Sequence, residues 1–435
     1  MITSVTIIGI GSCGCAFAAD LLNRGGIKVL LYAHPSHSRN ATTLLSSGPG
    51  HYLIESIGDI QGRFSPTVVT TDMSVALGFS HTIILAVPAY AQEDILSEIE
   101  KQGMDLRRHV FIAASGNLFT LVAARRGRIK ARYLVETSAS PFASRMFDLA
   151  GEGKEGKSLG VGIGVNILGT KKILPISSLP NDMDEKTKRD IGRLFPAELM
   201  WCGNVIETAL FNFNGVLHPV TTLMNAGWIE NTKGDFYFYR QGMTSSVTKL
   251  MEEVDKERIA IASEYGGGTK SCLEQMNAYY GLRSETLADF AKESKLHSAM
   301  KVCPGDLTHR YISEDLPYVL VPWYELGRKA GKELPVIRSL ILWAGMVTGV
   351  DYLRTGRNLD RLGLKGWAVE DIVDLVSGGT NNNGNMLVDE ELVVGSRFTD
   401  PVRKRLPLGE ESRGGGGGDR LFAEGGLGAS FRAKL

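Results

Sequence analysis

Short apolar runs rich in β-branched residues recur along the first third of the chain, at 5–8, 27–32, 68–72, 82–88, 110–114 and 133–137. Each ends in a polar, proline or glycine loop, and the stretches between several of them carry helical density of Ala, Leu and Phe, as at 16–22. Runs that are continuously apolar, with no alternation, suit parallel strands covered by helices on both faces. The pattern predicts an α/β unit with a doubly wound parallel sheet. Residues 161–165 and 173–176 read as edge strands closing it, with an exposed turn at 151–157 between charged residues and glycines. From about residue 205 the apolar period changes to that of helices: Val247, Leu250, Met251 and Val254 share a face, as do Ile337, Leu340, Ile341, Ala344 and Val347. Beyond Gly378 a run of asparagines and a run of glycines replace any packing pattern. The expected division is 1–195, a nucleotide-binding α/β domain; 196–378, an all-helical domain; and 379–435, a disordered tail.

The first apolar run leads straight into Gly9-Ile10-Gly11-Ser12-Cys13-Gly14 and then a helix and a second strand, all within about thirty residues. That context turns a common glycine spacing into a Rossmann-type dinucleotide fingerprint. Gly9 allows the tight turn, Gly11 lets backbone approach a pyrophosphate, and Gly14 lets helix and strand pack closely. Ser12 and Cys13 lie at the helix start, whose N–H groups face an anion. The second strand ends without the Asp or Glu that binds adenosine ribose hydroxyls; His34, Ser36 and Arg39 stand there instead. These donors suit a 2′-phosphate, so NADPH is expected over NADH. Val87 and Pro88, at the end of another strand, complete the expected cofactor wall, and the loops holding Asn117 and Ser144 are walls of the adjoining substrate site.

Lys+Arg and Asp+Glu are equal at 48 each among 435 residues, so global charge excludes a dedicated nucleic-acid or membrane binder. The five cysteines form neither a metal-site spacing nor an even disulfide framework. The N-terminus begins a strand and not a signal peptide, and no apolar run reaches membrane-spanning length. A cytoplasmic protein with small-molecule partners is expected, and a homodimer is compatible with the sequence.

In the second half, His218 precedes Pro219. Proline disfavours α backbone at the residue before it, which predicts a junction between two helices at His218, with Asn214 one turn earlier on the same face. The bland reading is a core corner; the chemical one is an acid/base residue titrating near neutrality. Asp315 precedes an apolar helix and would cap it, or would instead fix the tautomer of a histidine ring. Arg310 offers a bidentate fork to a carboxylate.

The chain resembles the octopine/nopaline (opine) dehydrogenase family. The resemblance rests on the glycine fingerprint, on Glu136-Thr137-Ser138-Ala139-Ser140-Pro141-Phe142-Ala143-Ser144-Arg145, on Asn212-Phe213-Asn214-Gly215-Val216-Leu217-His218-Pro219, and on His309-Arg310-Tyr311-Ile312-Ser313-Glu314-Asp315. Shorter similarities are Asp255-Lys256-Glu257-Arg258 and Thr355-Gly356-Arg357-Asn358-Leu359. It implies a Rossmann domain followed by an all-helical substrate domain, and NAD(P)H-dependent condensation of an L-amino acid with pyruvate or 2-oxoglutarate. It also implies that His218 is the catalytic histidine, Asp315 its partner and Arg310 a carboxylate ligand, with Asn214, Asn117 and Ser144 at the substrate. Ser115-Gly116-Asn117 and Ser144-Arg145 depart from the family's proline-glycine-glutamine-like loop and its frequent Cys-Arg pair. A simple 2-hydroxy-acid or polyol-phosphate dehydrogenase would share this layout, but its lysine-centred motifs are absent. A catalytically inactive NADP-sensing protein is the reading outside enzymes.

Overall fold

The computed structural model describes residues 1–149, 162–301 and 303–378. The turn expected at 151–157 and the tail at 379–435 lie outside the described residues. The strands are β1 (Ser4–Ile8), β2 (Lys28–Tyr32), β3 (Ile54–Gly58), β4 (Gly62–Phe64), β5 (Val68–Thr70), β6 (Thr82–Leu85), β7 (Val110–Ala114), β8 (Tyr133–Thr137), β9 (Phe142–Phe147), β10 (Ile163–Thr170), β11 (Ile173–Leu179) and β12 (Glu198–Trp201). Eight of them form the main sheet in the order β12-β11-β8-β7-β6-β1-β2-β5. It is parallel from β8 through β5, while β11 runs antiparallel to β8 and carries β12 parallel to itself. Every residue of β6, β7 and β8 is buried, which is why these runs read as continuously apolar and not alternating. The chain leaves β1 toward β2 on one side and returns with β6 on the other, so the sheet's switch point lies between β1 and β6.

A second, four-stranded sheet, β4-β3-β10-β9, was not foreseen. It covers the helix Ser12–Arg24, whose residues from Gly14 to Leu21 are all buried; Phe17 meets Phe142 of β9 edge-on at 5.2 Å. A helix apolar all round needs cover on both sides, and this sheet provides the outer one. Neither expected edge strand is an edge: β10 pairs with both β3 and β9, and β11 lies between β8 and β12. The short, glycine-bearing partners β3 and β4 carry too little apolar pattern to be read from sequence.

From Val205 to Ser377 the described elements are helical. The expected break at His218 does not occur: one helix, Asn214–Met224, runs through it with Pro219 inside. An internal proline costs about 3 kcal/mol. Val216, Leu217, Val220 and Leu223 of the same helix are buried, and burial of each such side chain contributes about 1.5–3 kcal/mol. Packing outweighs the local penalty. Among the described residues no helix is long and apolar enough to cross a membrane, and all five cysteines are free.

Candidate active site

The glycine loop takes the shape its sequence requires. Gly9 has φ +113, and a Cβ there would lie 2.6 Å from the Ala86 carbonyl oxygen of the loop after β6. A Cβ on Gly14 would lie 1.8 Å from the Gly9 oxygen, so helix and strand meet at van der Waals limits. Gly11 is different: nothing lies within 4 Å of the position a Cβ would take. Open space above a helix N-terminus at the sheet's switch point fits a dinucleotide pyrophosphate. His34 and Ser36 lie on the turn beyond β2, with His34 Nδ1 accepting from the Ser36 backbone N–H at 3.2 Å. Asn40 of the following helix, Arg39–Leu45, ties that turn to the loop by donating to the Ile10 carbonyl at 2.6 Å. His34, Ser36 and Arg39 therefore flank the glycine loop on its β2 side.

A cavity of about 340 Å³ opens from this loop toward the helical half. Its walls bring together Gly11, Ser12, Cys13, Val87 and Pro88 with Asn117, Ser144, Asn214, His218, Arg310 and Asp315. Gly9 and Gly14 shape the loop from beneath, and His34, Ser36 and Arg39 are not among the lining residues.

His218 lies mid-helix, one turn after Asn214, with its ring gripped at both nitrogens. Nδ1 donates to Asp315 Oδ2 at 2.8 Å, and Tyr239 Oη stands 3.1 Å from Nε2. A carboxylate only accepts, so the proton of a neutral ring belongs on Nδ1 and Nε2 faces the cavity as an acceptor for the tyrosine O–H. Tyr311 stacks on the imidazole at 3.8 Å between centroids and 19° between planes. Burial raises the Tyr239 phenol well above its ordinary value, which keeps it a donor. Asp315 makes no side-chain cap on the segment Leu316–Leu320 that follows it; its carboxylate serves the histidine.

Four buried groups fix the backbone around this pair. Asn117, with φ 54, accepts from Asn212 Nδ2 at 2.7 Å. Arg357 is fully buried and donates to the carbonyls of Asn117 at 2.6 Å and Gly116 at 3.3 Å, and to Gln92 Oε1 at 3.0 Å. Glu314 accepts from the Ala89 N–H at 3.0 Å and pairs with Arg310 at 2.9 Å. Glu136, on β8, holds the same loop from below through the N–H groups of Leu118 and Thr120. Burial pushes its carboxyl upward against those bonds.

The charged lining is uneven. Arg310 is held charged by Glu314 beside it, and its field also reaches the Cys13 thiol at the glycine loop. Burial drives His297 down to about 3 and His309 down to about 4, so both are neutral near pH 7. Sequence reasoning named the His218, Arg310 and Asp315 cluster and missed Tyr239, His297 and Lys171 as lining residues. Tyr239 lies in a non-periodic turn, and a lysine after a strand reads as a solvated turn residue.

Comparison with known proteins agrees with this architecture. Residues 201–348 match the family model described as NAD/NADP octopine/nopaline dehydrogenase, alpha-helical domain. The chain is 28% identical to vitopine synthase of Allorhizobium ampelinum over 385 residues, which covers 86% of this chain and 99% of that one. It is 27% identical to opine dehydrogenase of an Arthrobacter species, covering 84% and 97% respectively. The fold is similar to that of an octopine dehydrogenase solved with NADH and L-arginine, with a TM-score of 0.66 at 17% identity, covering 88% of this chain and 100% of that one.

Proposed function

Because this chain belongs to the octopine/nopaline dehydrogenase family, we propose that it joins the amine of an L-amino acid to a 2-oxo acid and reduces the product with a nicotinamide cofactor. The observation that carries this reading is the Asp315–His218–Tyr239 chain in a cavity shared with the glycine loop. A nicotinamide dinucleotide bound along Gly9, Gly11, Ser12, Cys13, Gly14, Val87 and Pro88 supplies a hydride there.

His218 handles protons at Nε2. The neutral ring takes one from the substrate ammonium, which frees the nitrogen lone pair to attack the keto carbon. It returns that proton to the carbinolamine hydroxyl as the C–O bond breaks and water leaves. The resulting imine carbon is the acceptor for the hydride that the bound cofactor would supply, and the product would be a secondary amine bearing two carboxylates. Asp315 holds the ring in the tautomer that leaves Nε2 basic, and stabilises the imidazolium between the two transfers. The closely walled cavity limits water at an imine that water would hydrolyse. Asn214, Asn117 and Ser144 act as polar contacts for substrate.

Arg310 binds an anion through its guanidinium fork. A substrate carboxylate is the first assignment. Arg310 shares the cavity wall with Gly11, Ser12 and Cys13 of the glycine loop, which makes the cofactor pyrophosphate the second. NADPH is the assigned cofactor, through His34, Ser36 and Arg39 at the 2′-phosphate. The test is NADPH oxidation with an oxo acid, an amino acid, or both. Oxidation only with both is the expected result, and oxidation with the oxo acid alone would make the protein a simple hydroxy-acid dehydrogenase. In the same assay, Arg310→Lys raises KM for NADPH if pyrophosphate is the anion and for a substrate if carboxylate is. Arg39→Ala shifts preference toward NADH, and an unchanged ratio removes Arg39 from the cofactor site.

A further inference from the structure

Two cations in the cavity have no part in the scheme above. Arg145, on β9, and Lys171, between β10 and β11, both line it. Among the described residues neither forms an ion pair: Arg145 Nη1 donates to the Ser144 carbonyl at 3.0 Å, and Lys171 Nζ to the Ser140 carbonyl at 2.7 Å. The other charged lining groups are matched, Arg310 with Glu314 and Asp315 with His218. An ammonium has three donors, and one carbonyl uses one of them. Two N–H groups of Lys171 are left for a ligand.

The charge state agrees with a ligand that is an anion. Burial pushes the Lys171 ammonium down to about 8, because desolvation penalises a charge that no carboxylate offsets. The titratable groups its charge reaches are Cys13, whose thiol burial raises, and His297, lowered to about 3; Tyr280, raised to about 12, lines the same cavity. All are neutral near pH 7. The ammonium, still mostly charged at pH 7, therefore meets no competing carboxylate among these groups.

We propose that Lys171, in the turn after β10, is a substrate-binding and specificity-determining residue that receives the substrate carboxylate not held by Arg310, with Arg145 of β9 lining the same cavity. The proposal rests on the reading of the chain as an opine-type dehydrogenase, and adds that substrate selection lies on the second sheet as well as on the helical half. Every product of that reaction carries two carboxylates around one nitrogen, which suits cations on both sides of the cavity, Arg310 from the helical half and Lys171 from the turn after β10.

Two readouts test it. The first is equilibrium binding of pyruvate and of 2-oxoglutarate, and of a panel of L-amino acids, to the NADPH complex of the wild type, Lys171→Met and Lys171→Arg. The second is steady-state kinetics at about pH 7 and about pH 9. Loss of a charged hydrogen bond weakens the affected substrate by about tenfold or more in Lys171→Met. NADPH affinity stays unchanged, and Lys171→Arg recovers part of the loss. In the wild type the affected KM rises between the two pH values as the ammonium titrates, and in Lys171→Met it does not. Equal substrate affinities in all three proteins overturn the proposal, as does an equal loss of thermal stability in Met and Arg variants that accounts for the whole effect. A wild type that turns over no substrate pair overturns the reaction assignment instead, while the binding measurement still reads Lys171.

Discussion

A histidine becomes a useful proton carrier when one nitrogen is committed and the other is not. At His218 the commitment is to Asp315 at 2.8 Å, and the free nitrogen meets only a phenol at 3.1 Å that a substrate amine can displace. The contrast with His297 is instructive, since that ring is buried and bonded to Ser294 Oγ at 2.7 Å. Its folded pKa, near 3, lies below the ordinary value of about 6.5. The unfolded chain therefore binds the extra proton, and stability present above about pH 6.5 is lost as pH falls toward 3. Between about pH 6.5 and 5, before carboxylates titrate, the loss assignable to His297 is about 1–2 kcal/mol. Urea denaturation at both pH values measures it, and His297→Gln should reduce the dependence while leaving the share of His309, which burial lowers to about 4; an unchanged slope would return the pH effect to other groups. At this scale the sequence exposed His218, Arg310 and Asp315 because each sits in a short motif of unusual residue types. Tyr239, His297 and Lys171 are common residues whose roles arise only from what folds against them.

Element geometry sets how closely His218 and Asp315, the proposed catalytic partners, approach. The helix Asn214–Met224 carries His218, and Gly215 on it faces the segment that follows Asp315. A Cβ on Gly215 would lie 2.8 Å from both the Trp323 ring and Val319. Gly215→Ala should cost about 1–3 kcal/mol by overpacking. It should also lower turnover by moving His218 away from Asp315, as read by denaturation midpoint and kcat. Wild-type stability and turnover together would show that the packing has room to yield. The six parallel strands were legible because full or partial burial of nearly all their residues makes an apolar run. The second sheet was not, since β3 and β4 are short and mix single apolar residues with polar residues and glycine. Pro219 misled for a related reason: local backbone preference predicted a break, and the buried face of the helix overrode it.

For the molecule as a whole, the sheet and helical parts are joined by polar groups of high energetic consequence. Arg357 is one of these, fully buried and bonded at once to the helix Ala89–Lys101 that follows β6 and to the loop after β7. Arg357→Met leaves the Asn117 and Gln92 acceptors unsatisfied, at about 1–3 kcal/mol for each group left buried. Denaturation should show a loss of at least about 2 kcal/mol, whereas a neutral result would mean that water replaces the guanidinium. These ties hold His218, from the helical half, over a cofactor loop from the other. In the proposed reaction this histidine carries the proton of the condensation. Measured as single-turnover oxidation of bound NADPH with both substrates present, His218→Ala should be slower by about a hundredfold or more while NADPH affinity is retained. A wild-type rate in that variant would contradict the claim.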